Sequence, residues 1–141
     1  MYSTILLIHS WLRWLALAGG AGTTVTRSER WALPTMILLD VQMLLGLLMY
    51  LVLSPNIAEI RAHFGEAMKS DQLRFWAVEH ITAMFIAVIV AHIGNVLARK
   101  AKTPESKRTR LMVCFGVATL LMLAGTPWPG LPYGRPLFRG L

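Results

Sequence analysis

FWAVEHITAMFIAVIVAHIGNVLA, residues 75–98, decides the fold. These 24 residues contain no Lys or Arg and are bounded by Arg74 and Arg99. A helix of about 20 mostly apolar residues crosses the hydrocarbon core of a bilayer, so the stretch reads as a transmembrane span. It nevertheless carries Glu79, His80 and His92. Ionisable groups at membrane depth are costly and mark functional positions. Glu79 and His80 lie about one and a half turns inside the span, a place for a ligand or a proton site. Behind His80 the same helix face carries Ala83, Ala87 and Ala91, at offsets of three, seven and eleven. The face is one imidazole above a smooth groove. Either a flat ligand lies in that groove, held by the imidazole, or a second helix packs there, since small residues four apart let backbones approach.

Composition agrees with a membrane class. Of 141 residues, 55% are hydrophobic and 15% charged, against about 45–50% and 25% in soluble domains. The length suits one domain. A lone cysteine, Cys114, sits in an apolar run, which excludes a disulfide framework and a thiolate metal cluster. The net charge of +7 falls largely in loops between apolar spans, the pattern of membrane orientation and not of nucleic-acid binding. No cleavable signal peptide is read, because the first span lacks a basic leader and is interrupted by Arg13. No hydrolase, kinase or zinc motif appears.

Four spans are expected, over about residues 3–24, 32–53, 75–98 and 111–126, in a single transmembrane domain covering 1–141. The first repeats the pattern of the third. His9, Ala16 and Gly20 share a face at offsets of seven and eleven, with Arg13 one turn below His9. An arginine that deep needs a partner: a carboxylate, a ligand's acid group, or water. In the second span Pro34 is read in the first turn. Asp40 is the candidate partner for Arg13 or His92, and Gln42, Gly46 and Tyr50 form one polar-and-small stripe. Ser54-Pro55 is a helix-start signature. Residues 55–69 then read as an amphipathic helix lying on the membrane surface, with Ile57, Ile60, Phe64 and Met68 on its apolar face. His63 in this helix reads as interfacial. Ser70 or Asp71 caps the third span. The tail, 127–141, holds four prolines and three glycines and reads as an irregular cap; Arg135 and Arg139 face an anionic group or lipid phosphates.

The loop over residues 99–110 carries Arg99, Lys100, Lys102, Lys107, Arg108 and Arg110 against Glu105 alone. The positive-inside rule puts it in the cytoplasm and both termini on the periplasmic side. Spans one and three then run in the same direction. His9 and His80 each lie about six residues below the start of their span, at nearly equal depth. Two neutral imidazoles facing each other across a helix bundle, with small residues beneath both, suit a b-type haem. Arg13 or the tail arginines would meet its propionates, and Glu79 or Ser10 is a candidate for orienting a neighbouring ligand imidazole. His92 is twelve residues below His80, roughly 18 Å along the axis and rotated by about 120°, so it cannot serve the same iron.

At these residues the chain resembles small bacterial four-span membrane proteins described as cytochrome b-like. The resemblance rests on His9-Ser10-x-Leu12-Arg13-Trp14, Gln42-x3-Gly46-x3-Tyr50, Arg74-Phe75, Glu79-His80, Trp128-Pro129 and Arg135-Pro136-x-Phe138, and covers nearly the whole chain. His92 lies outside it. The resemblance implies haem and a bacterial inner membrane.

The sequence therefore leads to an all-α, integral membrane four-helix bundle with a short surface helix between spans two and three. Its expected function is one-electron transfer through a single haem b near the periplasmic face. His9 and His80 are the axial ligands, and Arg13, Glu79, Ala87 and Gly20 complete the site. The alternative is a quinone- or chlorophyll-binding, or purely structural, accessory subunit of a respiratory or photosynthetic complex. An independent enzyme is the less favoured reading. Expected partners are the lipid bilayer and other membrane subunits or a redox partner, with no nucleic acid.

Overall fold

The computed structural model describes residues 1–140, which are helical or irregular, with no strand among them. Helix α1, Tyr2–Thr26, runs unbroken for 25 residues because no proline interrupts it. It stops at Arg27, whose left-handed backbone (φ 54°) turns its N–H onto the Thr23 carbonyl. Helix α2, Glu29–Leu48, starts where the Ser28 side chain accepts from the Arg30 N–H. That cap sets the start three residues ahead of the expected Ala32. Pro34 consequently lies inside the helix and not in its first turn. The helix ends in a π-helical turn, Met49–Leu53.

Ser54 caps α3, Pro55–Ala62, as its Ser-Pro signature requires. The surface helix expected over 55–69 is two pieces, α3 and α4 (Phe64–Ala67), broken at His63 with φ −127° and ψ 46°. Ile57, Ile60 and Ala67 are buried with Ala77, and Tyr50, Met68 and Trp76 pack around them. The apolar face of this segment is thus turned onto the ends of the long helices, and only Phe64 of the four expected residues is exposed.

Ser70 caps α5, Asp71–Arg74, which passes through a second π-helical turn, Phe75–Glu79, into α6, His80–Arg99. Helix α7, Pro104–Ala124, begins on a Thr103 cap with proline at its first position. This is the same signature as Ser54-Pro55. The expected loop over 99–110 therefore shrinks, and Lys107, Arg108 and Arg110 ride on the first turns of α7.

Helix α1 packs on α2 and α7, and α6 on α7 and α2. The shared core is built from Ala16, Leu17, Leu39, Ala87, Ala91, Leu111, Phe115 and Met122. The backbones come close. A Cβ on Gly19 would stand 2.5 Å from Thr35 Oγ1, and one on Gly20 2.5 Å from Thr119 Oγ1. Gly94 lies against Cys114 in the same way. Close approach at small residues is how helices associate where no hydrophobic effect drives them together. Large apolar side chains instead point outward, among them Leu15, Leu44, Leu120 and Ile93. An apolar exterior around a small-residue interior suits a lipid solvent.

Three helices are long and apolar enough to cross a membrane: Tyr2–Thr26, Glu29–Leu53 and Asp71–Arg99. Helix α7 differs because Glu105, Lys107, Arg108 and Arg110 occupy its first two turns. Its apolar part, residues 111–124, is about 21 Å long against a hydrocarbon core of about 30 Å. Lys107 pairs with Glu29 at 2.6 Å, joining the starts of α7 and α2.

Candidate functional site

The ends of α1, α2 and α6 opposite that pair enclose a cavity of about 310 Å³, within the usual range for small-molecule sites (about 300–1,000 Å³). His9 and His80 both line it, together with Arg13, Gln42, Tyr50, Trp76, Arg135 and Arg139. Apolar walls come from Leu17, Leu39, Met43, Leu47, Ile81, Met84 and Val88. Among the described residues no carboxylate lines the cavity, which three arginines face.

The two histidine rings lie edge to face, with centroids 6.4 Å apart and planes at 72°. His80 Nδ1 lies 2.7 Å from the Gly125 carbonyl oxygen. A carbonyl only accepts, so Nδ1 donates and the neutral ring keeps its Nε2 lone pair. Gly46 stands beside the other ring, where a Cβ would lie 3.6 Å from His9 Cε1. Small residues thus make room for the His9 imidazole, as the Gln42-Gly46-Tyr50 stripe suggests.

Two π-helical turns shape the walls. A π turn shifts its hydrogen bonds to i→i+5 and leaves carbonyls in need of other donors. Tyr50 OH donates to the Ala77 carbonyl at 2.7 Å, tying one π turn to the other. Arg61 Nη2 donates to Leu51 O at 3.2 Å. Gln42 Nε2 donates to His9 O at 3.0 Å and links α2 to α1. Neither π turn has a signal in the sequence, which reads as regular helix through both.

The tail folds across the mouth. Arg13 Nη2 donates to Leu137 O at 2.8 Å and Trp14 Nε1 to the same oxygen at 3.2 Å. Trp11 Nε1 donates to Arg139 O at 3.1 Å. Phe138 stacks on Trp14 with centroids 5.5 Å apart, and Tyr133 stacks on Phe75 at 3.7 Å. Arg135 lies over the Trp76 ring, 5.3 Å from its centroid. These contacts bring Arg135 and Arg139 into the site.

Four buried side-chain atoms among the described residues have no hydrogen-bond partner: His9 Nδ1, Arg13 Nε, Gln42 Oε1 and Trp76 Nε1. All four residues line this cavity. Buried polar groups are normally satisfied, and orphans gathered at one place mark a binding site. Among the described residues no three His, Cys, Asp or Glu are grouped to hold a bare metal ion.

The remaining expected site residues lie elsewhere. Glu79 pairs with Arg74 at 2.7 Å, in company with Asp71, and orients neither imidazole. Ala87 and Ala91 are fully buried in the helix core, and Gly20 meets Thr119 and Met122. Gly20, Ala87 and Ala91 are therefore helix contacts, whereas Ala16 below His9 does line the cavity, and Met84 and Val88 line it on α6. Asp40 bonds His92 at 2.8 Å, not Arg13. His63 ends α3 outside the cavity. Trp76, Met84 and Gly125 are site residues that the sequence did not single out.

Fold and site together define an all-helical protein with helices suited to a bilayer and a cationic, histidine-bearing cavity at one end. The chain matches no family model, no curated protein and no solved structure.

Proposed function

We propose that the chain is a membrane-bound, b-type cytochrome-like electron-transfer protein that carries one haem between α1 and α6. The proximity of the His9 and His80 rings in one cavity carries this reading. An imidazole that ligates a metal through one nitrogen has its centroid about 3 Å from the ion, so two rings about 6 Å apart would both be within reach of one iron. The observed separation is 6.4 Å. Two imidazoles without further protein ligands suit an iron whose other four positions are filled by a porphyrin. When bound, haem supplies one-electron exchange at its iron.

The chain's own residues do the rest. His80 donates from Nδ1 to the Gly125 carbonyl, which fixes the ring and holds Nε2 ready as a ligand. Imidazole ligates iron in its neutral form, so as ligands neither ring would bring a charge into low dielectric. Arg13, Arg135 and Arg139 offer positive charge to acid groups on the ligand. Apolar side chains of α2 and α6, among them Leu39, Met43, Ile81 and Met84, line the rest of the cavity.

In this reading α7 crosses the bilayer as a fourth span, aided by the apolar residues around Pro127 that follow it. The basic residues on and before α7 face the cytoplasm, which puts the cavity and both termini on the periplasmic side of a bacterial inner membrane. The α3–α4 segment lies at the headgroup boundary. A redox partner or host complex supplies and removes the electron.

A second reading rests on Trp76, whose buried indole N–H lacks an acceptor. A quinone carbonyl would provide one. The visible spectrum of protein purified from haem-replete cells separates the two. The expected result is a reducible Soret band with stoichiometric iron porphyrin. Protein that purifies without porphyrin, and releases quinone on extraction, overturns the haem assignment.

A further inference from the structure

A second cavity, of about 320 Å³, lies at the end of the helices away from the histidines, where α1 stops and α2 and α7 start. Arg27, Ser28, Glu29, Lys107 and Arg108 line it together with the buried Leu111. Glu29 is the one acid in that lining among the described residues, and Lys107 engages it at 2.6 Å. Arg27 and Arg108 are left without an ion pair among the described residues. Two like charges in one cavity repel each other unless an anion stands between them. Their surroundings add to the repulsion, because residues 27–30 and 99–110 hold eight Lys and Arg against Glu29 and Glu105. Helix α1 is 25 residues long, about 37 Å, against a hydrocarbon core of about 30 Å. Arg27 at its end therefore stands in the headgroup layer of a bilayer that the helix crosses. Two exposed valines lead from the cavity towards the lipid tails: Val25, two residues before Arg27 on α1, and Val113, two after Leu111 on α7.

We propose that this cavity binds the headgroup phosphate of an anionic phospholipid, with Arg27 and Arg108 on its oxygens and an acyl chain beside Val25 and Val113. A guanidinium presents paired N–H donors that match phosphate oxygens. Basic cavities between membrane helices at the headgroup layer take anionic lipids. Glu29 does not compete for the arginines, because Lys107 holds it. A zwitterionic lipid fits poorly, since its own cationic group would stand among an excess of Lys and Arg. The exposed valines favour a lipid over free phosphate, which has no use for an apolar wall. The proposal rests on the helices crossing a bilayer and is independent of what fills the histidine cavity.

The full chain in an uncharged detergent is titrated with phosphatidylglycerol or with phosphatidylcholine, and native mass spectrometry reads the lipid-bound fraction. The wild type is expected to bind phosphatidylglycerol about tenfold more tightly than phosphatidylcholine. The double variant Arg27→Gln with Arg108→Gln should bind phosphatidylglycerol about tenfold more weakly, the scale of one lost charge-assisted hydrogen bond. Both side chains are exposed, so its helix content by circular dichroism should equal that of the wild type. Arg99→Gln with Lys100→Gln removes the same charge from the same end outside the cavity and should leave the affinity unchanged. Millimolar inorganic phosphate should not displace the lipid. Equal binding of the two lipids by the wild type, a double variant that binds as tightly, or an equal loss in the Arg99 and Lys100 control would each overturn the proposal. Displacement by inorganic phosphate would overturn it in favour of a free-phosphate site.

Discussion

Arg13 Nη2 donates to the carbonyl of Leu137 at 2.8 Å, tying α1 to a residue 124 positions further along the chain. The guanidinium also lies over the Trp14 ring, 4.8 Å from its centroid. A backbone oxygen and an aromatic face thus satisfy much of a deep arginine that would otherwise call for a carboxylate. Asp40 is engaged by His92 instead.

Because Arg13 and Asp40 share no partner, Arg13→Met is expected not to rescue Asp40→Asn. The two losses of stability should add to within about 0.5 kcal/mol, as they do for independent sites. Thermal unfolding of the four members of the cycle in one detergent measures this. A coupling above about 1 kcal/mol would restore the direct ion pair.

The tail is held to α1 by aromatic contact as well as by hydrogen bonds. Phe138 lies 5.5 Å from Trp14 and 5.8 Å from Trp11, centroid to centroid. Such pairs contribute about 0.5–1.5 kcal/mol each beyond area burial. Phe138→Ala should therefore loosen the strap by about 1–2 kcal/mol. Hydrogen exchange over residues 131–140 is expected to speed up while α6 and α7 are unchanged. Unaltered exchange in the tail would show that the backbone bonds to Arg13 and Trp14 hold it alone.

Helix α6 approaches α7 where Gly94 meets Cys114 Cβ and Sγ. A methyl group at position 94 has no room, and overpacking of this kind costs about 1–3 kcal/mol. Gly94→Ala should lower the unfolding temperature, and adding Cys114→Gly should recover part of the loss despite glycine's poor helix propensity. If Gly94→Ala alone is neutral, the two helices are further apart than this contact implies.

Much of the helical layout was legible because long apolar runs and cap signatures are local signals. Ser54-Pro55 and Ser70 start helices as read, and Asp40 does pair with one of its two candidates, His92. Two helices start ahead of their apolar runs. Ser28 and Thr103 cap α2 and α7 several residues before the apolar stretches begin. Side-chain direction was harder. Ala83 meets Gly125, and Ala87 and Ala91 are buried in the helix core, so periodicity put them on the face of His80 without saying which neighbour that face touches. The π-helical turns rotate the chain just before His80 and just after Leu48. They depend on tertiary donors such as Tyr50 and Arg61, which no local pattern encodes.

The two imidazoles make the most specific prediction. They lie 71 residues apart in sequence (80 − 9), yet their rings stand 6.4 Å from each other at one cavity. His80 is held by Gly125, whereas His9 Nδ1 is buried without a partner. His92 is committed to Asp40 on a different flank. If both rings ligate one haem, His9→Ala and His80→Ala should each abolish the low-spin spectrum, and His92→Ala should leave it unchanged. Millimolar imidazole added to His9→Gly, which vacates the space of the ring, should restore a low-spin band, since the free base can occupy the same axial position. Difference spectra of dithionite-reduced against oxidised protein read all four. A low-spin spectrum that survives loss of either His9 or His80 would remove that residue from the ligand set.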